Sequence, residues 1–149
     1  MERDGAGVLS SAGPVARVVA GTFLEPGQLR GLYLETAAAM VHAGSGVEPG
    51  QVVGTQGHAL RGADLLRRLA VEATVHHLDL TGSLPDAPGP SVLGLAEVRR
   101  ALDGLLGRPV PVAGRDDALH ARKATGRIPL TAAERELLGA DADRLPLFC

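Results

Sequence analysis

Apolar residues recur at three- and four-residue intervals in three long stretches of the chain, the spacing that lines one face of an α-helix. In residues 28–43 the recurring set is Leu29, Leu32, Tyr33, Thr36, Met40 and Val41. Residues 62–81 and 92–106 carry the same period, and Ser91 and Gly107 flank the last stretch as start and stop signals. The pattern predicts three long helices, and a shorter one over residues 14–23.

Shorter helical signals follow toward the C terminus. Asp116 and Asp117 can start a helix that Gly126 ends, and Thr131 with Glu134 matches a capping box. The tail Arg144-Leu145-Pro146-Leu147-Phe148 is apolar enough to dock on a core. We therefore predict a mainly all-α fold, with a helical-bundle portion over residues 1–107 and a short mixed C-terminal extension, residues 108–149, packed on it.

The 62–81 helix carries the most informative side chains. At about 100° per residue, one continuous arc holds Leu65, Leu66, Leu69, Ala70, Ala73, His76, His77 and Leu80. Glu72 lies at the edge of this arc, which we expect to face the core. A carboxylate and an imidazole beside a core are costly to desolvate, on the order of a few kcal/mol each without partners. A metal ion would satisfy both groups.

Glu72 and His76 also have a spacing that suits a shared metal ion. Residues four apart on a helix have Cβ atoms about 5–6 Å apart, and zinc–ligand bonds are about 2 Å. Asp79 faces nearly the same way, as a third ligand or as a hydrogen-bond acceptor for the ring of His76. The same spacing also arises by chance as a solvated or locally hydrogen-bonded pair, so spacing alone does not decide between the two interpretations.

The remaining candidates are weaker. His77 points about 100° away from His76, which is typical of a half-buried or rim histidine. We interpret three further histidines, His42, His58 and His120, as surface groups, recruited only if the fold brings one of them to Glu72. Arg127 follows a predicted helix end, where it could cap carbonyls or bind a substrate carboxylate.

Composition excludes several classes of function. The 15 basic and 17 acidic residues give a net charge of -2, and only 2% of residues are aromatic. Neither value favours a nucleic acid or an anionic membrane as partner. Cys149 is the single cysteine, so the chain forms no internal disulfide and a reducing, cytoplasmic location is expected. The sequence also lacks a signal peptide, a membrane-length apolar run, a phosphate-binding loop and a nucleophile elbow.

Residues 69–80, Leu-Ala-Val-Glu-Ala-Thr-Val-His-His-Leu-Asp-Leu, resemble the metal-binding helix of the mycothiol-dependent maleylpyruvate isomerase family, which belongs to the DinB-like bundles. Further segments look like the same family in the same order: residues 56–60, 96–107, 124–131 and 144–148. The resemblance covers roughly residues 14–149, and its colinearity is more specific than any single segment.

The resemblance implies a four-helix bundle with a divalent ion, typically zinc, bound by a His from an early helix and by a Glu-x-x-x-His motif. Glu72 and His76 match this motif. The two helices that precede residues 14–23 in that family, with the first ligand His, have no counterpart in this chain. The missing ligand would then come from Asp79, His58 or a second subunit.

The resemblance also implies a chemistry. The metal would bind the thiol of mycothiol as a thiolate, which would add to an electrophilic substrate and lead to isomerisation or thiol transfer. Losing part of the bundle would expose apolar helix faces, which pairing into a homodimer could bury. The alternative is a truncated, non-catalytic bundle that retains Glu72 and His76 and acts only through self-association or protein binding.

Overall fold

A computed structural model describes residues 21–22, 25–55, 57–84, 86–110 and 116–148. The chain forms two compact units, residues 1–47 and 48–149, so the boundary that we predicted at residue 107 falls inside the second unit. The helix predicted over residues 14–23 lies almost entirely outside the described residues. Within the described part of the chain, no helix is both long enough and apolar enough to span a membrane.

The first unit contains α1, Pro26–Ser45, which extends the predicted helix at both ends. Pro26 stands in the first turn, where its missing N–H would have had no helical partner. The backbone N–H of Glu25 donates to Oε1 of Gln28 at 3.3 Å. At the other end Ser45 Oγ donates to the carbonyl of His42 at 2.7 Å. Local side-chain caps therefore define both ends of α1.

The second unit begins with a hairpin of two antiparallel strands, β1 (Val52–Thr55) and β2 (His58–Arg61). Gly57 takes a φ of 80° at the turn, a conformation that glycine adopts without strain. Two carbonyls before β1 then accept N–H groups of the next helix, from Gly62 to Gln51 at 2.7 Å and from Ala63 to Pro49 at 3.2 Å. The hairpin segment thus satisfies orphan donors at the N terminus of that helix.

The other regular elements among the described residues of the second unit are all helical, which confirms the predicted mainly all-α fold. The predicted 62–81 helix is present with the same bounds. Ser91 Oγ accepts from Gly94 N–H at 3.0 Å, and Gly107 with a φ of 84° ends the helix that follows, as the sequence predicted. The elements are α2 (Gly62–Thr81), α3 (Val92–Leu106), α4 (Asp117–Ala124), α5 (Ala132–Leu138) and a 3₁₀ turn (Gly139–Arg144).

The core of this unit lies between α2, α3 and α4. Its buried side chains are Val75, Leu78, Val98, Leu102, Ala121 and Ala124. Leu145, Leu147 and Phe148 of the C-terminal tail pack against them. Leu145 and Leu147 also contact a second buried cluster, formed by Leu106, Val110, Leu138 and Ala142. The tail therefore joins the two clusters.

The prediction of which face of α2 is buried was wrong. The core takes Thr74, Val75 and Leu78, whereas Leu69 and Leu80 on the predicted arc are 39% and 71% exposed. Gly94 explains in part why the face with Thr74 is the buried one, because a Cβ at residue 94 would collide with Thr74 Oγ1. The Thr74 hydroxyl donates to the carbonyl of Ala70 at 2.7 Å and so can be buried. Both faces of α2 carry apolar residues. The face with more of them is the exposed one, so the number of apolar residues does not identify the buried face.

A pair of leucines on α2 tests this assignment. Leu78 is 3% exposed and Leu80 is 71% exposed. Leu78→Ala should lower the free energy of unfolding by about 2–5 kcal/mol, since it leaves a cavity in the core. Leu80→Ala should change it by less than about 0.5 kcal/mol. Urea denaturation measures both, and a larger loss for Leu80→Ala would contradict the packing.

An ion pair joins α4 to α5. Lys123 is buried, and its Nζ donates to Oε1 of Glu134. Oε2 of the same carboxylate accepts from the backbone N–H of Thr131 at 2.8 Å and from its hydroxyl at 2.9 Å, which completes the predicted capping box. These donors, the Lys123 ammonium first, lower the pKa of Glu134 from 4.5 to about 2.

Glu134 should therefore contribute to acid unfolding. A carboxyl with a lowered folded-state pKa stabilises the fold fully above its unfolded pKa, and this contribution is lost as the pH falls from 4.5 toward 2. In thermal melts, Glu134→Gln should lower Tm at pH 7 and flatten the fall in Tm between those pH values. Glu136→Gln, an exposed change on the same helix, is the matched control. A wild-type pH dependence in Glu134→Gln would refute the assignment.

Candidate metal centre

Glu72 and His76 lie on successive turns of α2 with their polar atoms facing each other. Oε2 of Glu72 is 3.9 Å from Nε2 of His76. Two ligands of a tetrahedral zinc ion lie about 3.3 Å apart when each bond is about 2 Å. A small side-chain rotation would close the difference, and carboxylate oxygen and imidazole nitrogen are both zinc ligands. This donor pair fits a divalent ion.

The site is on the surface, which removes one of the arguments from the sequence. The side chains of His76 and Glu72 are 71% and 53% exposed. Because the arc that carries them faces outward, neither group needs a metal ion to offset the cost of burial. The remaining support for a metal is the facing geometry and the family resemblance.

Asp79 contacts the other side of the histidine ring. Its Oδ2 is 3.7 Å from Nδ1 of His76. Arg127 binds the same carboxylate in a bidentate manner, from Nε to Oδ1 at 2.5 Å and from Nη2 to Oδ2 at 2.7 Å. The Arg127 guanidinium, with a smaller contribution from His76, holds the pKa of the Asp79 carboxyl below its ordinary value. Both oxygens are thus already engaged, which favours Asp79 as an acceptor over Asp79 as a third ligand.

The turn after α4 fixes the backbone of Arg127. The N–H of Arg127 donates to the carbonyl of Arg122 at 2.7 Å, and the N–H of Gly126 donates to the carbonyl of Lys123 at 3.1 Å. With Gly126 at a φ of 76°, these bonds form a Schellman motif. Nη1 of Arg127 also reaches the carbonyl of Thr125 at 3.4 Å, so the predicted capping contact is present. The carboxylate of Asp79 accepts from the other two donating nitrogens of Arg127, Nε and Nη2.

A third ligand is not supplied by the other candidates. His58 stands opposite Thr55 at the turn of the hairpin and is exposed. Across the described ranges, no three His, Cys, Asp or Glu side chains are grouped to hold a metal ion. His77 is half-buried as predicted, with Nε2 2.8 Å from the carbonyl of Pro88. His42 is exposed in the last turn of α1.

The prediction that His120 is a surface residue was wrong. It is fully buried in α4, and its Nδ1 is 3.2 Å from Nη1 of Arg99. Nε of Arg99 in turn donates to Asp117 at 2.5 Å. Since an arginine nitrogen only donates, Nδ1 of His120 is the acceptor in this contact. His120 therefore belongs to a structural polar cluster between α3 and α4.

One shallow cleft includes Glu72, and another includes Asp79 and Arg127. The first, of about 260 Å³, is lined by Thr55, Leu65, Arg68, Leu69 and Glu72. The second, of about 320 Å³, is lined by Leu78, Asp79, Gly82, Arg122, Arg127 and Ile128. Sequence reasoning missed Arg68, although its position four residues before Glu72 was a usable signal. It also missed the pairing of Asp79 with Arg127, which no local spacing encodes.

Comparison of the chain with protein-family models, with curated proteins and with solved structures gives no match. The resemblance to the mycothiol-dependent maleylpyruvate isomerase family therefore remains a hypothesis carried by the residues quoted for it.

Proposed function

We propose that this protein is a divalent-metal-binding member of the mycothiol-dependent maleylpyruvate isomerase family, with Glu72 and His76 as ligands of a zinc ion. The facing of Oε2 of Glu72 and Nε2 of His76 at 3.9 Å carries the proposal. The colinear family-like segments on both sides of α2 support it. With two ligands from the described residues, the ion keeps open positions for a third protein ligand and for a small molecule.

The proposed activity is a thiol-dependent isomerase or transferase reaction in the cytoplasm, with mycothiol and an electrophilic small molecule as reactants. When bound, a divalent ion lowers the pKa of a thiol that coordinates it, so that the thiol is held as a thiolate. The cleft beside Glu72 offers a place for the reactants. Leu65 and Leu69 provide apolar contact there, and Arg68 provides a positive charge that attracts an anionic group.

A second candidate is a non-catalytic bundle that acts through self-association. The observation that favours it is the exposed apolar surface of α2, on which Leu66, Leu69 and Leu80 are 36%, 39% and 71% exposed. Pairing this surface with a second copy would give a homodimer and remove it from water. In this candidate Glu72 and His76 have no functional metal.

Metal analysis of the purified protein separates the two candidates. Wild-type protein dialysed against zinc should retain it at near-stoichiometric amounts, and Glu72→Ala or His76→Ala should weaken binding by at least tenfold, because each removes one of two ligands. The matched control is His77→Ala, an adjacent histidine whose ring contacts Pro88. It should leave zinc affinity unchanged.

Sedimentation with and without zinc completes the experiment. A protein that takes up no zinc, with unchanged melting when zinc is added, would refute the metal proposal. Zinc-independent dimers that Leu80→Glu dissociates would then favour the self-association candidate.

A further inference from the structure

The contact between Asp79 and Arg127 joins two parts of the second unit that are far apart in sequence. Asp79 lies in the last turns of α2, and Arg127 follows the end of α4, 48 residues later. Their side chains are 43% and 24% exposed. Ion pairs that are partly exposed add little to stability on average. The bidentate geometry, however, fixes the position of the carboxylate more tightly than a single hydrogen bond does.

The carboxylate so fixed lies beside Nδ1 of His76, at 3.7 Å, while Nε2 of the same ring faces Glu72. This distance is longer than a direct hydrogen bond. The ring is exposed and can close it by a small rotation. A histidine that binds a metal through Nε2 needs its proton on Nδ1, and a neighbouring carboxylate favours that arrangement.

We propose that Asp79 and Arg127 are positioning residues for His76: Arg127 holds the Asp79 carboxylate, and this carboxylate holds the His76 ring with Nε2 directed to the metal. The inference rests on the proposed metal function. It gives Asp79 the role of acceptor, not of third ligand. It also makes Arg127 a partner of Asp79 instead of a contact for a substrate carboxylate. Nε and Nη2 of Arg127 donate to Asp79, and Nη1 reaches the carbonyl of Thr125.

The rigid turn that carries Arg127 supports this role. Gly126 packs against Pro146, whose side-chain atoms would lie 3.1 Å from a Cβ placed on that glycine. The N–H of Leu147 donates to the carbonyl of Ala124 at 2.9 Å, and Leu147 packs on the core. The docked tail thus holds the turn, and the turn holds the guanidinium beside α2. Partners held in place in this way orient a metal ligand and raise its affinity for the metal without contacting the metal themselves.

The experiment measures zinc affinity by competition with a chelating dye for wild type, Asp79→Asn, Arg127→Gln and Arg127→Lys. Both Asp79→Asn and Arg127→Gln should weaken zinc binding by about 10–100-fold. Arg127→Lys keeps the charge but not the bidentate contact, so it should fall between wild type and Arg127→Gln. Arg122→Gln is the matched control, since Arg122 lines the same cleft as Asp79 and Arg127. It should bind zinc as wild type does.

A spectroscopic readout separates positioning from a merely structural role. In the zinc-loaded wild type, NMR should show a proton on His76 Nδ1 that exchanges slowly with water, and in Asp79→Asn or Arg127→Gln this proton should exchange faster. Thermal melts report whether each variant is folded. If Arg127→Gln does not fold, Asp79→Asn and Arg127→Lys carry the test.

The outcomes are distinct. Unchanged zinc affinity in folded Asp79→Asn and Arg127→Gln would overturn the positioning role while leaving the metal proposal in place. Tighter binding by Arg127→Gln would also overturn it, because a released Asp79 would then be acting as a third ligand. Absence of zinc binding in wild type would refute the metal proposal itself, and the positioning role with it.

Discussion

The packing of one face of α2 against α3 and α4 is the constraint on which the rest of the second unit depends. Val75 and Leu78 enter the core formed with Val98 and Leu102. Gly94 has no side chain at a position where a Cβ would collide with Thr74 in this interface. Once that face is buried, helical geometry directs Glu72 and His76 away from the core and into solvent. The position of the candidate site follows from a contact on the other side of the helix.

A second constraint connects the C-terminal region to the same helix. The tail residues Leu145 and Leu147 contact both buried clusters, and they position the turn that presents Arg127. The hydrogen bond from the N–H of Leu147 to the carbonyl of Ala124 adds to the Schellman bonds that already fix this turn. The segment after residue 107 therefore does more than cover the core. It supplies the Arg127 guanidinium, which binds Asp79 next to the candidate metal ligands.

Local signals predicted most of the secondary structure, because caps act over a few residues. Ser91, Gly107 and the Thr131–Glu134 capping box all mark real helix ends. The facing of Glu72 and His76 was also predictable, since it needs only helical spacing. The buried face of α2 was not, because both of its faces are apolar and the choice depends on Gly94 in another helix. The burial of His120 likewise depends on Arg99, an arginine on a neighbouring helix.

The exposure of Glu72 and His76 changes which free-energy terms oppose or favour the binding of a metal ion. The side chains of Glu72 and His76 are largely exposed, so binding an ion relieves no buried charge, and it costs the conformational entropy of fixing two exposed side chains. A carboxylate fixed beside Nδ1 would restrict the histidine in advance and leave only the glutamate to be ordered. Glu72 itself lines the exposed cleft beside Arg68. In the proposed site, affinity would then depend on how well the histidine is held and on what fills the remaining positions of the ion.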